Sequence, residues 1–387
     1  MKSFSHPPII ETSAAQTSAR APHWQYVPRR GLSIPSITVL DSTGHVLEDE
    51  QRRLLRHLAQ HGQGADIIFG VGTTGEWNRL ANGERQRLIW IHSDEIARLN
   101  AGFHQQALRP IEAWAGVTAM TRAETLANLD CALKSGADAA VIAPLSIVDI
   151  SDISQFFQRD ISDLFDRTGR FIPVFLYDNA DIAIDPRAPH LRTREVKRLS
   201  RLPFIFGVKV SASRRVLGNY TKGAGHFKDK GEFGIYVGNA MLMFQVFKME
   251  EGIAGRVREY WNRYLLHNEL PVGVVSGPAN CLPREWQRAW RACFAADERL
   301  MAVYQTAFLE FERACRFSED GRTVIKMIAC LKHALKMDGV IDSDLVATGT
   351  PALTNEQRQA FASHYTKIKE SLQRETLETW LTPPERR

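Results

Sequence analysis

Lys209 ends an apolar run, Phe204-Ile205-Phe206-Gly207-Val208, and is followed by Val210-Ser211. Apolar neighbours on both sides keep water from a lysine, which favours its neutral amine. A neutral amine is the nucleophile that Schiff-base chemistry requires. The structural alternative is a lysine that threads its head to the surface or pairs with a carboxylate. A second run, Ile172-Pro173-Val174-Phe175-Leu176, ends in Tyr177-Asp178-Asn179. Its phenol could relay a proton or simply pack with its hydroxyl at a sheet rim. A third run, Asp66-Ile67-Ile68-Phe69, ends in Gly70-Val71-Gly72-Thr73-Thr74-Gly75-Glu76. Closely spaced glycines let a backbone turn tightly with its N–H groups exposed, and two hydroxyls add donors, a fit for a small carboxylate or phosphate. The same residues would also serve as a plain turn that caps a helix.

These candidates share a position, the end of an apolar run, so the frame must gather strand ends. From about residue 31, short β-rich runs alternate with amphipathic stretches. The runs centre near Ile37, Ile68, Ala113, Val141, Val174, Ile205, Ile235 and Val274. Helical periodicity marks Glu48 to His61, Asn82 to Asn100, Arg122 to Ser135, Ile153 to Arg167 and Arg194 to Arg201. Eight such units over roughly 250 residues predict a (β/α)8 TIM barrel, residues 31–283, with its site at the C-terminal strand ends. A doubly wound open sheet is the alternative. Val257, Tyr260, Trp261, Tyr264 and Leu265 fall at helical intervals and predict an inserted helix near 256–271. Residues 284–387 read as a helical segment packed on the barrel, with helices near 284–299, 301–316, 322–337 and 355–373 and no further strand. The last opens on a capping-box pattern, Thr354-Asn355-Glu356-Gln357. Residues 1–30, rich in Ser, Ala, Thr and Pro with Glu11 as their one acid, read as a flexible extension.

Composition removes several classes of function. The 387 residues are 44% hydrophobic and 24% charged, as in an ordinary globular protein. No apolar run approaches the roughly 18 residues of a membrane span. The 49 basic residues face 44 acidic ones with no lysine-rich block, so no nucleic-acid partner is expected. Cys131, Cys281, Cys293, Cys315 and Cys330 show no Cys-x-x-Cys spacing and read as buried apolar residues of a reducing, cytoplasmic compartment. His57 and His61 stand four apart without supporting carboxylates or thiols, so no metal is expected.

The motifs together resemble the dihydrodipicolinate synthase and N-acetylneuraminate lyase family of class I, pyruvate-type aldolases and dehydratases. The resemblance spans about residues 31–373. It rests on Gly72-Thr73-Thr74-Gly75-Glu76 with Leu80 and Glu84-Arg85, Ala115-Gly116-Val117, Gly136-Ala137-Asp138-Ala139 and Pro144. It continues through Leu176-Tyr177, Gly207-Val208-Lys209, Gly238-Asn239 and Gly273-Val274-Val275-Ser276-Gly277-Pro278-Ala279-Asn280. The resemblance implies that Lys209 forms an imine with pyruvate or another 2-oxo acid, with no cofactor. It implies that Tyr177 is the acid/base phenol, and that Thr73 and Thr74 hold the carboxylate and lend a hydroxyl to proton transfer. Gly75, Ser211, Asn179, Gly238 and Val275 are the further substrate-binding candidates. It also implies a homodimer or homotetramer.

Two departures point to a changed substrate. Synthases of the family follow the tyrosine with Asn, Pro and an Arg that binds the second substrate's carboxylate. Here the chain reads Asp178-Asn179-Ala180-Asp181-Ile182-Ala183-Ile184-Asp185. After Pro144, Leu145-Ser146-Ile147 stand where many members carry aromatics. Asp178, Asn179, Asp181, Ser211, Ser213 and Asn239 could instead receive hydroxyl groups, which favours a 2-keto-3-deoxy sugar acid over aspartate semialdehyde. The competing reading is a catalytically silent barrel that serves as a 2-oxo acid sensor or a structural subunit.

Overall fold

The computed structural model describes residues 26–228, 232–248 and 270–381. Among these, eight parallel strands pair in chain order and close into a barrel: β1 (Gly31–Pro35), β2 (Ile67–Gly70), β3 (Glu112–Gly116), β4 (Ala139–Ile142), β5 (Val174–Asn179), β6 (Ile205–Ser211), β7 (Gly234–Val237) and β8 (Gly273–Val275). Closure comes from the pairing of Leu32 with Val274 and Ser33 with Val275, which excludes the open sheet. The outer layer includes α1 (Glu48–Ala59), α2 (Asn82–Gln105), α3 (Arg122–Ser135), α4 (Ile153–Gln155), α5 (Ser162–Thr168), α6 (Thr193–Leu199), α7 (Arg214–Gly223) and α8 (Met243–Val246). A π-helical turn, Phe156–Ile161, joins α4 to α5. The ends of α3 show how sequence sets such bounds. The Thr121 hydroxyl accepts from the Glu124 N–H at its start, and Gly136 takes the left-handed conformation (φ 78°) at its end. Of the inserted helix expected near 256–271, residues 256–269 lie outside the described residues, and 270–271 are not helical.

The C-terminal segment consists of α9 (Pro283–Ala295), α10 (Glu298–Ala314), α11 (Met327–Met337) and α12 (Asn355–Leu381). Trp286 of α9 stacks on Phe308 of α10 with ring centres 3.9 Å apart, and Phe361 of α12 stacks on Tyr365. Helix was expected up to 316 and again from 322. Instead Arg316–Glu319 and Arg322–Ile325 form an antiparallel hairpin, β9 and β10. Its turn is Asp320-Gly321, both at positive φ, the conformation that a two-residue hairpin demands. At the other end, residues 1–25 lie outside the description. The expected extension does not reach residue 30, because Tyr26 packs against Phe175 and Phe206 and donates to Glu112 Oε2 at 2.8 Å. All five cysteines are free and buried. No described helix is long and apolar enough to cross a membrane.

Side chains alternate along each strand, so one set fills the barrel and the other meets the helices. Phe69, Trp114, Phe175, Phe206 and Tyr236 belong to the inner set, with Trp114 stacked on Phe175 at 4.1 Å. These rings form a floor beneath the C-terminal strand ends. One irregularity decides what stands above it. β5 pairs Val174 with Ile205 but Phe175 with Gly207, so Phe206 is the extra residue of a bulge. Ile205, Val208 and Val210 face the helices while Phe206 joins the inner set. Without the bulge Tyr177 would face Val208; with it, Tyr177 faces Lys209 and Asn179 faces Ser211. Gly207 makes the bulge possible, since a Cβ there would lie 2.4 Å from Gly234 O and 2.7 Å from the Phe175 ring.

Gly207→Ala is expected to cost about 3 kcal/mol, because backbone and a packed ring must both yield. Urea denaturation against the parent protein measures it. A loss under about 0.5 kcal/mol, within the ordinary scatter of surface substitutions, would mean that the bulge tolerates a side chain.

Candidate active site

The registered pairs stack two layers of polar side chains on the aromatic floor. In the lower layer, Lys209 is 4% exposed. Its Nζ lies 3.9 Å from the centre of the Tyr177 ring and 4.9 Å from that of Phe69. No described carboxylate forms an ion pair with it, which removes the structural pairing that would otherwise explain a buried lysine. The Tyr177 oxygen lies 3.3 Å from Thr73 Oγ1 and 3.3 Å from Ser211 Oγ, and it accepts from Asn179 Nδ2 at 3.0 Å. One phenol oxygen therefore links the turn after β2 with β5 and β6.

Burial pushes the Tyr177 phenol upward. The positive charge of Lys209, then hydrogen bonds from Ser211 and Thr73, outweigh that and leave it below the ordinary tyrosine value. The other described tyrosines go the opposite way: burial raises Tyr26, Tyr220, Tyr236, Tyr304 and Tyr365. A phenol that gives up its proton more readily than an ordinary tyrosine is suited to exchange protons with a neighbouring oxygen.

Thr73, Thr74 and Gly75 form a 3-10 turn just beyond β2. The turn is bracketed by Val71 at φ 57° and Glu76 at φ 59°, a conformation uncommon for any side chain and costly for a β-branched one. Gly116 lets the Val71 carbonyl come close, since a Cβ there would sit 2.3 Å from that oxygen. From below, the His92 ring fills the space over Gly70, with its Nε2 3.3 Å from Ser36 Oγ and 3.1 Å from Gln51 Nε2. Burial lowers His92 to about 3, so the ring is neutral at physiological pH. Glu76 secures the far end. Its Oε2 accepts from Lys332 Nζ of α11 at 2.6 Å, and its Oε1 accepts from Ala347 N at 2.8 Å. Both side chains of this ion pair are fully buried, and burial holds Lys332 below its ordinary value despite Glu76 beside it.

The other expected residues divide in two. Thr74 lies against Gly277, whose Cβ would be 3.3 Å from its Oγ1, so it faces the end of β8. Gly238 abuts Ser211, where a Cβ would lie 2.1 Å from Oγ, so its role is to leave room for that hydroxyl. Gly75 is buried, and its carbonyl accepts from Thr38 Oγ1 at 2.7 Å. Val275 belongs to the inner apolar set with Tyr177. Asp178 is a correction. It points to the helix layer, where it accepts from Tyr220 at 2.6 Å and lies 3.2 Å from His190 Nδ1, and burial raises it. Strand alternation forces this, because its neighbours Tyr177 and Asn179 face inward. Ser213 caps α7 by accepting from Val216 N. No described group of three or more His, Cys, Asp or Glu could hold a metal ion. Lys332 was missed, although a lysine closing the apolar stretch Ile328-Ala329-Cys330-Leu331 carries a signal like the one that marks Lys209.

No protein-family model matches the sequence, and no curated protein matches it. Solved structures do. Dihydrodipicolinate synthase from Bacteroides thetaiotaomicron superposes with a TM-score of 0.69 at 20% identity, covering 89% of this chain and 100% of that one. Wild-type sialic acid aldolase from Ruminococcus gnavus gives 0.68 at 16% identity, covering 89% and 98%. A prophage protein of the dihydrodipicolinic acid synthase family from E. coli K12, solved in complex with pyruvate, gives 0.66 at 18%, covering 88% and 98%. The fold is that of these proteins. At such identities the likeness concerns the barrel and its helical C-terminal part, and the chemistry must be argued from the side chains.

The phenol provides a direct reading of the site. In a spectrophotometric titration the described tyrosines should ionise after Tyr177, so Tyr177→Phe should remove an early step. In Lys209→Met the step should move to higher pH, because the opposing charge is gone. A step unmoved in Lys209→Met would show that the two groups are not electrostatically coupled.

Proposed function

We propose that the protein is a Schiff-base lyase of the dihydrodipicolinate synthase and N-acetylneuraminate lyase family, acting on a 2-oxo acid. The observation that carries this reading is the register that sets Tyr177 beside a buried Lys209 that forms no ion pair with any described carboxylate. A silent barrel has no use for an amine in such a wall, since burying one without a partner costs stability.

The reaction follows from the residues. The Lys209 amine attacks the ketone carbon of the substrate, water leaves, and a protonated imine remains. Thr73 and Thr74, at the mouth of β2, offer hydroxyl and backbone donors to the adjacent carboxylate and fix its orientation. The Tyr177 oxygen takes the proton from the substrate's hydroxyl as the carbon–carbon bond breaks, and the electron pair moves into the imine to give an enamine. Protonation of that enamine and hydrolysis release pyruvate and restore the amine. In a dehydratase, the same imine would acidify the carbon next to it; a proton would leave that carbon to give the enamine, and hydroxide would depart from the following carbon, protonated to water as it leaves.

The far end of the substrate is proposed to be neutral and hydroxylated, as in a 2-keto-3-deoxy sugar acid. No arginine stands in residues 178–185, and Arg187 is 90% exposed and paired with Asp185. Ser211 and Asn239, at the ends of β6 and β7, remain as hydroxyl partners; Asp178 and Ser213 do not. We also propose a homodimer or homotetramer. Exposed Met120 and Val148, linked by a backbone hydrogen bond, and exposed Ile184 offer apolar surface near the strand ends.

Supplied with 2-keto-3-deoxy sugar acids, the protein should release pyruvate, detected by a coupled dehydrogenase. Tyr177→Phe should lower kcat by about 10²–10⁴, the usual size of lost acid/base catalysis, with KM little changed. Efficient condensation of pyruvate with aspartate semialdehyde, with no cleavage of the sugar acids, would overturn the substrate assignment.

A further inference from the structure

The opposite face of the barrel holds a second cavity. It has a volume of about 400 Å³ and lies at the N-terminal strand ends, lined by Arg29 and Arg30 before β1, Asp66 before β2, Arg109 before β3, and Gln287, Trp290, Arg291 and Phe294 on α9. Four guanidinium groups thus meet one carboxylate. That carboxylate is already engaged: Asp66 Oδ2 accepts from Leu32 N at 2.9 Å and from Gln287 Nε2 at 2.9 Å, and Arg109 Nη1 stands 3.7 Å from Oδ1. Positive charge exceeds negative among the described residues lining the cavity, with Glu112 just outside it also acting on Arg29.

Two orphaned polar atoms sharpen the picture. Arg29 Nε and Gln287 Oε1 are buried and have no hydrogen-bond partner among the described residues, and Gln287 as a whole is 5% exposed. A buried donor or acceptor left unpaired costs about 1–3 kcal/mol. Here both kinds occur on residues that line one cavity, beside an excess of cations. Burial, and then repulsion from Arg109, also hold the Arg29 guanidinium below its ordinary value, which a nearby anion would relieve. Arg30 lies 5.1 Å over the half-exposed Phe294 ring, so an aromatic face stands at the rim.

We infer that this cavity binds a phosphate ester that also carries a hydroxyl or N–H donor. The ester's oxygens would take the guanidinium N–H groups, including Arg29 Nε, for which arginine's planar fork is suited. The ligand's donor would satisfy Gln287 Oε1. The volume lies in the range of small-molecule sites. Sugar phosphates and nucleotides share this chemistry, and the nucleotide alone could also stack a base on Phe294. The inference stands apart from the reaction at Lys209, on the far side of the aromatic floor.

The test is calorimetric titration of the full chain at constant ionic strength with ribose 5-phosphate, AMP and inorganic phosphate. Saturable binding of at least one ester is expected, tighter than that of inorganic phosphate, with AMP the better ligand if the base stacks. Arg109→Ala with Arg291→Ala should weaken it by about tenfold or more, the worth of a lost charge-assisted contact; Arg109→Ala alone gives the same readout should the pair fail to fold. Lys209→Ala should leave it unchanged. Absence of saturable ester binding in the millimolar range, inorganic phosphate binding as tightly as either ester, affinity indifferent to the arginines, or loss of binding in Lys209→Ala would each overturn the inference.

Discussion

A single residue of extra length on β6 sets the site. A strand repeats every two residues, so a slip of one turns each side chain to the other face. The bulge at Phe206-Gly207 applies that slip partway along the β5–β6 pair, after the register at Val174 has been fixed by packing against the helices. Below it, Ile205 and Val174 feed the outer core. Above it, Lys209 stands beside Tyr177, and Ser211 beside Asn179. The constraint rests on the missing side chain of Gly207, because the Phe175 ring and the Gly234 carbonyl occupy the space that a methyl group would need. Position then governs electrostatics. Tyr177 ionises more readily than the other described tyrosines because the bulge puts Lys209 next to its ring.

The opposing wall depends on a different device. The Thr73–Gly75 turn is held between two residues at positive φ, and such strain persists only where the surroundings enforce it. Gly116 and His92 enforce it on the barrel side, and the Glu76–Lys332 pair enforces it on the helical side. A buried pair of this kind contributes little net stability, but removing one partner would strand the other at a cost of about 3–5 kcal/mol. Its value is geometric. It ties the Thr73–Gly75 turn to α11, so the C-terminal segment supports that turn as well as covering the barrel.

Much of this was legible in the sequence. Strand periodicity, even spacing and the residues closing each run pointed to a barrel, and they picked out Lys209, Tyr177 and Thr73, which the structure brings together. Other features were not legible because they depend on long-range pairing. Nothing local marks Phe206 as a bulge, and Asp178 looked available until strand alternation turned it toward Tyr220. Lys332 meets Glu76 across 256 positions, a separation no window analysis can bridge. The Asp320-Gly321 pair is a local hairpin signal, but the helical periodicity on both sides of it masks the short strands.

The central claim is that the geometry of β5 and β6 makes Lys209 an imine-forming nucleophile. It is tested most directly by incubating the protein with pyruvate and borohydride and mapping the product by mass spectrometry of the intact chain and its peptides. The account predicts one reduced adduct, on the peptide that contains Lys209, absent from Lys209→Arg and diminished in Gly207→Ala. A protein left unmodified at millimolar pyruvate, or one labelled equally well in Lys209→Arg, would contradict it.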